Sequence, residues 1–205
     1  MKHPNELLIA TRNAGKVAEF ARIFADLPLR LRGLAEFSVE ADAEETGETF
    51  AENATLKAEF YGARAGIPTL ADDSGLEVEA LGGAPGVLSA RYAGTNASDR
   101  QRIERLLREL ETTGDDERRA RFVCVIALTF PQTDETELFS GECRGRIIDE
   151  PRGGEGFGYD PVFMPEGYSQ TFGELPPEIK NRISHRARAS AAAARYLRER
   201  FGRTA

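Results

Sequence analysis

Five short segments hold side chains able to handle a phosphorylated ligand. Thr11-Arg12-Asn13-Ala14-Gly15-Lys16 follows a short apolar run and precedes a helical pattern. A hydroxyl, an amide, a tight turn and a lysine at a helix start gather the parts of an anion site, because free backbone N–H groups and the helix dipole favour negative charge there. It is not a Walker loop: it has one glycine, and Val17 stands where a magnesium-binding Ser or Thr would be needed. An ordinary strand-to-helix turn with a solvated lysine satisfies the same local pattern. Asp72-Asp73-Ser74-Gly75 sets two carboxylates on an apolar extended segment. Neighbours on a strand point to opposite faces, so one can hold a hard cation while the other orients or deprotonates water. A solvated turn is the equal alternative.

The remaining three segments are more ambiguous. Glu44-Glu45-Thr46-Gly47-Glu48 precedes a helix beginning near Thr49, a placement the dipole favours without any catalytic task. Phe157-Gly158-Tyr159-Asp160-Pro161 sets aromatics among glycines, which suits stacking on a nucleobase and equally suits anchoring a loop. Lys180 stands just ahead of Ser184-His185-Arg186, where Ser184 caps a helix and His185 and Arg186 lie in its first turn, against the dipole preference. Such a local mismatch is expected where function overrides stability.

The elements that must position these residues follow from periodicity. Leu7 to Thr11 reads as a buried strand, the apolar pattern from Val17 to Leu27 as a helix, and Leu29 to Leu34 as a strand. Thr49 to Ala65 is a helix closed by Gly66-Ile67-Pro68. Thr69-Leu70-Ala71 is a strand that breaks at Asp72, and Leu76 to Leu81 alternates with period two before the Gly82–Gly86 loop. Ser98 to Leu110 is an amphipathic helix. Ala120 to Phe130 and Thr136 to Ile148 are long strands joined by the polar turn Gln132–Glu135, Gly153–Gly158 is a flexible loop, and Ser184 caps a final helix to Phe201. Mixed strands and helices imply an α/β domain around an elongated mixed sheet, one domain over residues 1–205.

Bulk composition excludes several classes. With 27 basic against 34 acidic residues, the net charge of −7 speaks against broad polyanion binding, so no nucleic-acid partner is expected. No run approaches a membrane span and the N-terminal segment lacks a signal pattern, so a cytoplasmic protein without a membrane partner is expected. Cys124 and Cys143 lack metal-type spacing and read as reduced buried thiols.

Taken in order, TRNAGK, EETGETFAENATLKA, ADDSGLEV, LGGAPGVLSARYAG, the paired strands, GFGYDP and ISHRARA resemble the inosine triphosphate pyrophosphatase family, also called the Ham1 or RdgB family, over Leu8 to about Tyr196. The resemblance implies two lobes with a nucleotide cleft between them, a homodimer, and Mg²⁺-dependent hydrolysis of ITP, dITP and XTP to monophosphate and pyrophosphate. Carried onto this chain, the Thr11–Lys16 turn (Thr11, Arg12, Asn13, Ala14, Gly15, Lys16) would hold the triphosphate, with Lys57 and Ser74 on its phosphate side. Glu44 and Asp73 would bind the metal, supported by Asp72 and Glu45, and Asp73 would be the proton acceptor. Phe157 would stack on the base, with Gly158, Tyr159 and Asp160 around it and Lys180, His185 and Arg186 completing recognition. The rival functions are a non-catalytic nucleotide-binding or sensing module, a phosphatase releasing orthophosphate, and a structural scaffold.

Overall fold

Leu7, Leu8 and Ile9 are fully or almost fully buried in strand β1 (Glu6–Ile9), and their alternation builds two cores at once. The computed structural model describes residues 5–37, 39, 41–114, 116, 118–133 and 135–201. Leu7 and Ile9 join Phe20 and Phe24 of helix α1 (Ala14–Ile23) and Ala189, Ala193 and Leu197 of helix α5 (His185–Phe201). Leu8 and Ala10 join Ala54, Ala58 and Tyr61 of helix α2 (Phe50–Ala65) on the other face. A strand segment covered on both faces favours a continuous apolar run, which is why Leu7-Leu8-Ile9 shows no polar alternation.

β1 pairs in parallel with β2 (Arg30–Gly33) and with β3 (Thr69–Val78), in register Leu8 with Arg32 and Leu8 with Thr69. Parallel neighbours need crossovers, which α1 and α2 supply. The remaining elements are helix α3 (Asp99–Glu111), strands β4 (Arg119–Phe130), β5 (Glu135–Ile147) and β6 (Phe163–Pro165), and helix α4 (Pro177–Ile183). Among the described residues the sheet has six strands in the order β2-β1-β3-β4-β5-β6, with β5 and β6 antiparallel. The α/β class with a mixed sheet is as expected.

Contacts divide the chain into two compact units, Met1–Asp73 with Cys124–Ser140 and Arg188–Ala205, and Ser74–Val123 with Gly141–Ala187. The boundaries fall inside β3, β4, β5 and α5 rather than at linkers. The second unit has its own core, in which Leu76, Ile103, Leu106, Phe122, Phe163 and Phe172 meet. Both cysteines are buried and form no disulfide, and among the described residues no helix is long and apolar enough to cross a membrane.

Three sequence expectations need correction. β3 does not break at Asp72: it runs unbroken through Asp72-Asp73-Ser74-Gly75, where Lys16 pairs with Asp72 and Lys57 with one oxygen of Asp73. α1 starts at Ala14 rather than Val17, because Asn13 caps it. The Gly153–Gly158 loop is pinned rather than free, with Arg152 N–H donating to Pro161 O at 2.8 Å and Glu155 N–H to Gly173 O at 3.0 Å. Gly153 sits so close to Gly173 that a Cβ would lie 1.9 Å from its carbonyl oxygen. Helix α4 has no counterpart in the expectation. The turn from Gln132 to Glu135 includes Asp134, which lies outside the described residues.

Candidate active site

In the first unit the chain leaves β1 and turns at Thr11, whose Oγ1 accepts from Asn13 N–H at 3.2 Å. Asn13 Oδ1 then accepts from Lys16 N–H at 3.2 Å, so the amide that looked like a ligand group caps α1. The helix start aims Lys16 at Asp72, with Nζ 2.7 Å from Oδ2 and the Asp72 side chain only 1 % exposed. Gly15 is exposed; Ala14 opens the helix, and its side chain lies outside the described residues. Arg12 points away, donating to Asp42 Oδ1 at 2.7 Å and to Val39 O at 3.1 Å. Its hydrogen bond holds the Asp42 carboxyl below the usual range.

A second lysine organises the other carboxylate. Lys57 Nζ, projecting from α2, donates to Glu45 Oε1 at 2.7 Å and to Asp73 Oδ1 at 3.1 Å. The acidic segment before α2 is tied to that helix. Thr49 and Glu52 form a capping box, and Asn53, fully buried, accepts from Gly47 N–H at 2.8 Å. A Cβ on Gly47 would lie 2.6 Å from Glu52 Cβ, so the close approach requires glycine. Glu45 is thereby turned inward to Lys57, while Glu44 is exposed.

Asp73 carries the most unusual electrostatics. Burial raises its carboxyl above the ordinary range, and the nearby Glu45 charge adds to this although Lys57 opposes it. Burial alone would lower the Lys57 ammonium, but Asp73, Glu45 and Asp72 together hold it above its usual value. The second Asp73 oxygen, Oδ2, is buried and has no hydrogen-bond partner among the described residues. A buried carboxylate oxygen without a donor is costly unless a ligand completes it.

In the second unit Arg186, 3 % exposed, donates from Nη2 to Ser74 Oγ at 3.1 Å. Ser184 caps α5 through the Ala187 N–H at 3.2 Å. His185 is buried and stacks on Phe122 with ring centroids 4.8 Å apart. Lys180 Nζ pairs with Asp160 Oδ2 and lies 4.7 Å from the Phe157 ring centroid, while the Arg186 guanidinium lies 5.7 Å from it. Asp160 Oδ2 also accepts from Phe157 N–H at 2.8 Å, and burial raises its carboxyl despite Lys180. Tyr159 is buried and donates to Ser89 O at 2.9 Å. Phe157 is 49 % exposed, an aromatic face with two cations beside it and little packing around it.

A model of the Ham1 family matches residues 7–196. The chain belongs to the Ham1 family. A dITP/XTP pyrophosphatase of Geobacillus kaustophilus is 51 % identical over 184 residues, covering 90 % of each chain. The solved structure of a HAM1 protein from Coxiella burnetii superposes with a TM-score of 0.91 at 45 % identity, covering 95 % of this chain and 99 % of that one. The Staphylococcus aureus Ham1 protein gives 0.87 at 44 % identity, covering 96 % and 100 %.

In this Ham1 chain the structure brings Lys16 to Asp72, Lys57 to Glu45 and Asp73, Arg186 to Ser74, and Lys180 to Asp160 beside Phe157. It does not aim Arg12 at these groups. Sequence reasoning missed Asn53, which ties the acidic segment to α2; a poor helix former in a helix interior was the available signal. It also missed Asp99, to which Gly158 N–H donates at 2.6 Å. An acid in a helix first turn is so ordinary that its type raised no question.

Proposed function

We propose that this chain hydrolyses deaminated purine nucleoside triphosphates, ITP, dITP and XTP, to the monophosphate and pyrophosphate, and so removes them from the nucleotide pool. The observation that carries the reading is Asp73, a buried carboxylate with one oxygen on Lys57 and the other without a donor among the described residues. Its donor chemistry fits a hard cation, and Mg²⁺ is commonly held by one or two carboxylates with substrate phosphate oxygens completing the shell. Asp73 and Glu44 would hold the ion, with Glu45 and Asp72 as supporting carboxylates. When bound, magnesium supplies charge for the phosphate tail and makes a neighbouring water more acidic.

The chain's own residues do the rest. Asp73 accepts the proton of the attacking water. Lys16 and Lys57 offset charge developing on the leaving pyrophosphate, and Asp72 and Glu45 hold those ammonium groups in place. Thr11, Asn13 and the amides of the turn lie on the triphosphate side, with Ser74 fixed by Arg186. Phe157 stacks on the base, and Gly158, Tyr159, Asp160 and Lys180 shape its surroundings. Donors from His185 and Arg186 suit the 6-oxo group of hypoxanthine and xanthine and leave an adenine amine without an acceptor. Such a hydrogen-bonding site can reject a mispaired analogue by orders of magnitude. The active species is proposed to be a cytoplasmic homodimer.

Product analysis tests the reaction. ITP with Mg²⁺ is expected to give IMP and pyrophosphate, and chelation is expected to stop it. Orthophosphate as the sole inorganic product would reject the reading in favour of a phosphatase, and ITP binding without turnover would favour a sensing module. Light scattering showing a monomer at micromolar concentration would reject the dimer.

A further inference from the structure

Phe157 presents an aromatic face that is 49 % exposed, so packing does little to fix its ring, and its direction must come from the backbone. Two successive amides supply it. Phe157 N–H donates to Asp160 Oδ2 at 2.8 Å, and Gly158 N–H donates to Asp99 Oδ2 at 2.6 Å. The two amides belong to the peptide units before and after Phe157, so both planes flanking its Cα are restrained, and Gly158 allows this by adopting φ +63°, where glycine is unstrained.

Asp99 is well placed to act as a fixed post. It lies in the first turn of α3, where a negative charge is favoured, and its other oxygen pairs with Arg102. Arg102, 18 % exposed in its side chain, also donates to Ala90 O. Ala90 follows Ser89, whose carbonyl accepts the Tyr159 hydroxyl. The start of α3 thus holds the loop directly through Gly158, and a neighbouring segment holds it again through Tyr159.

We propose that Asp99 is a positioning residue for base recognition, setting the stacking face of Phe157 through the Gly158 amide. The proposal rests on the reading that Phe157 takes the base of a nucleoside triphosphate. Both Asp99 oxygens are acceptors. In Asp99→Asn one of them becomes an NH₂ that faces either the Gly158 N–H or the Arg102 guanidinium, both donors.

The test is steady-state pyrophosphate release from ITP by wild type and Asp99→Asn, with competition by inorganic triphosphate, which has no base. The variant should raise KM for ITP about tenfold, the scale of one charge-assisted hydrogen bond, with kcat within about threefold. The inhibition constant of inorganic triphosphate should be unchanged, and hydrogen exchange at the Gly158 amide should accelerate. If Asp99→Asn fails to fold, Asp99→Ser, which keeps a short polar side chain at the helix start but reaches less far, takes its place with the same expectations. An unchanged KM for ITP, or equal weakening of ITP and inorganic triphosphate, overturns the role of Asp99 while leaving the enzyme reading intact. A wild type that releases no pyrophosphate from ITP overturns that reading, and this proposal with it.

Discussion

Asp73→Asn separates the chemistry from the fold more cleanly than any other change. The Asp73 side chain is 12 % exposed, and its carboxyl is raised chiefly by burial. The folded state therefore binds that proton more tightly than the unfolded chain does. The cost of the charge is complete above the folded value and absent below the ordinary carboxylate value. An isosteric amide removes that cost, while Lys57 keeps Glu45 as a partner. Without divalent ions the variant should melt no lower than wild type. With Mg²⁺ at about 100 times its dissociation constant, wild type should gain about 2.7 kcal/mol. For a chain of this size that is a rise of roughly 5–11 °C, and Asp73→Asn should lose most of it. Turnover of ITP should fall by about 10²–10⁴ for the lost proton acceptor alone. Calorimetry with and without Mg²⁺, alongside pyrophosphate release, reads both effects. Turnover within threefold of wild type, or an undiminished Mg²⁺ shift, would refute the assignment of Asp73 as acceptor and ligand.

Lys57→Met leaves Glu45 and Asp73 without their shared cation. Breaking a buried pair by removing one partner costs about 3–5 kcal/mol, so thermal melting should drop sharply and Mg²⁺ should recover part of the loss. Phe157→Ala should leave stability within about 0.5 kcal/mol, as for most exposed positions. It should still raise KM for ITP by the roughly 1–3 kcal/mol that one stacked base is worth, and an unchanged KM would remove Phe157 from the site. Asp160, raised by burial, makes the folded protein lose stability as pH rises between the ordinary carboxylate value and its own. Asp160→Asn should flatten that fall in urea titrations across pH, and an unaltered slope would show that Asp160 does not titrate as its burial requires.

What could be read from the chain and what could not divides along a physical line. Long periodic segments were legible: the run ending in Ala65, the Ala120–Phe130 strand and the Ser184 cap each match within a residue or two. Their periodicity is imposed by burial, which the sequence carries directly. The pair Asp72-Asp73 was legible as chemistry but not as structure, because Asp, Ser and Gly together carry a turn signal. That signal is overridden by two lysines 56 and 16 residues away that neutralise the carboxylates inside a buried strand. Local pattern did not tell Glu44 from Glu45, which only the resemblance ranked, since which one turns inward depends on how Asn53 and the glycine at 47 tie the segment to α2.

The same contrast explains why both lysine clusters look overbuilt as structure. Surface ion pairs contribute little, and buried ones often no more than an apolar substitute would. Lys16 and Lys57, both largely covered, nevertheless pair with Asp72 and Asp73 on adjacent positions of one strand, beside an oxygen that has no donor among the described residues. Stability alone gives no reason to place four charges there. Under the proposed function a polyanion does: its negative charge would displace part of what the carboxylates now hold, with the lysines already oriented. Preorganisation of that kind lowers the cost of charge that develops only during reaction. On that proposal the arrangement is a site for phosphate rather than a pair of salt bridges.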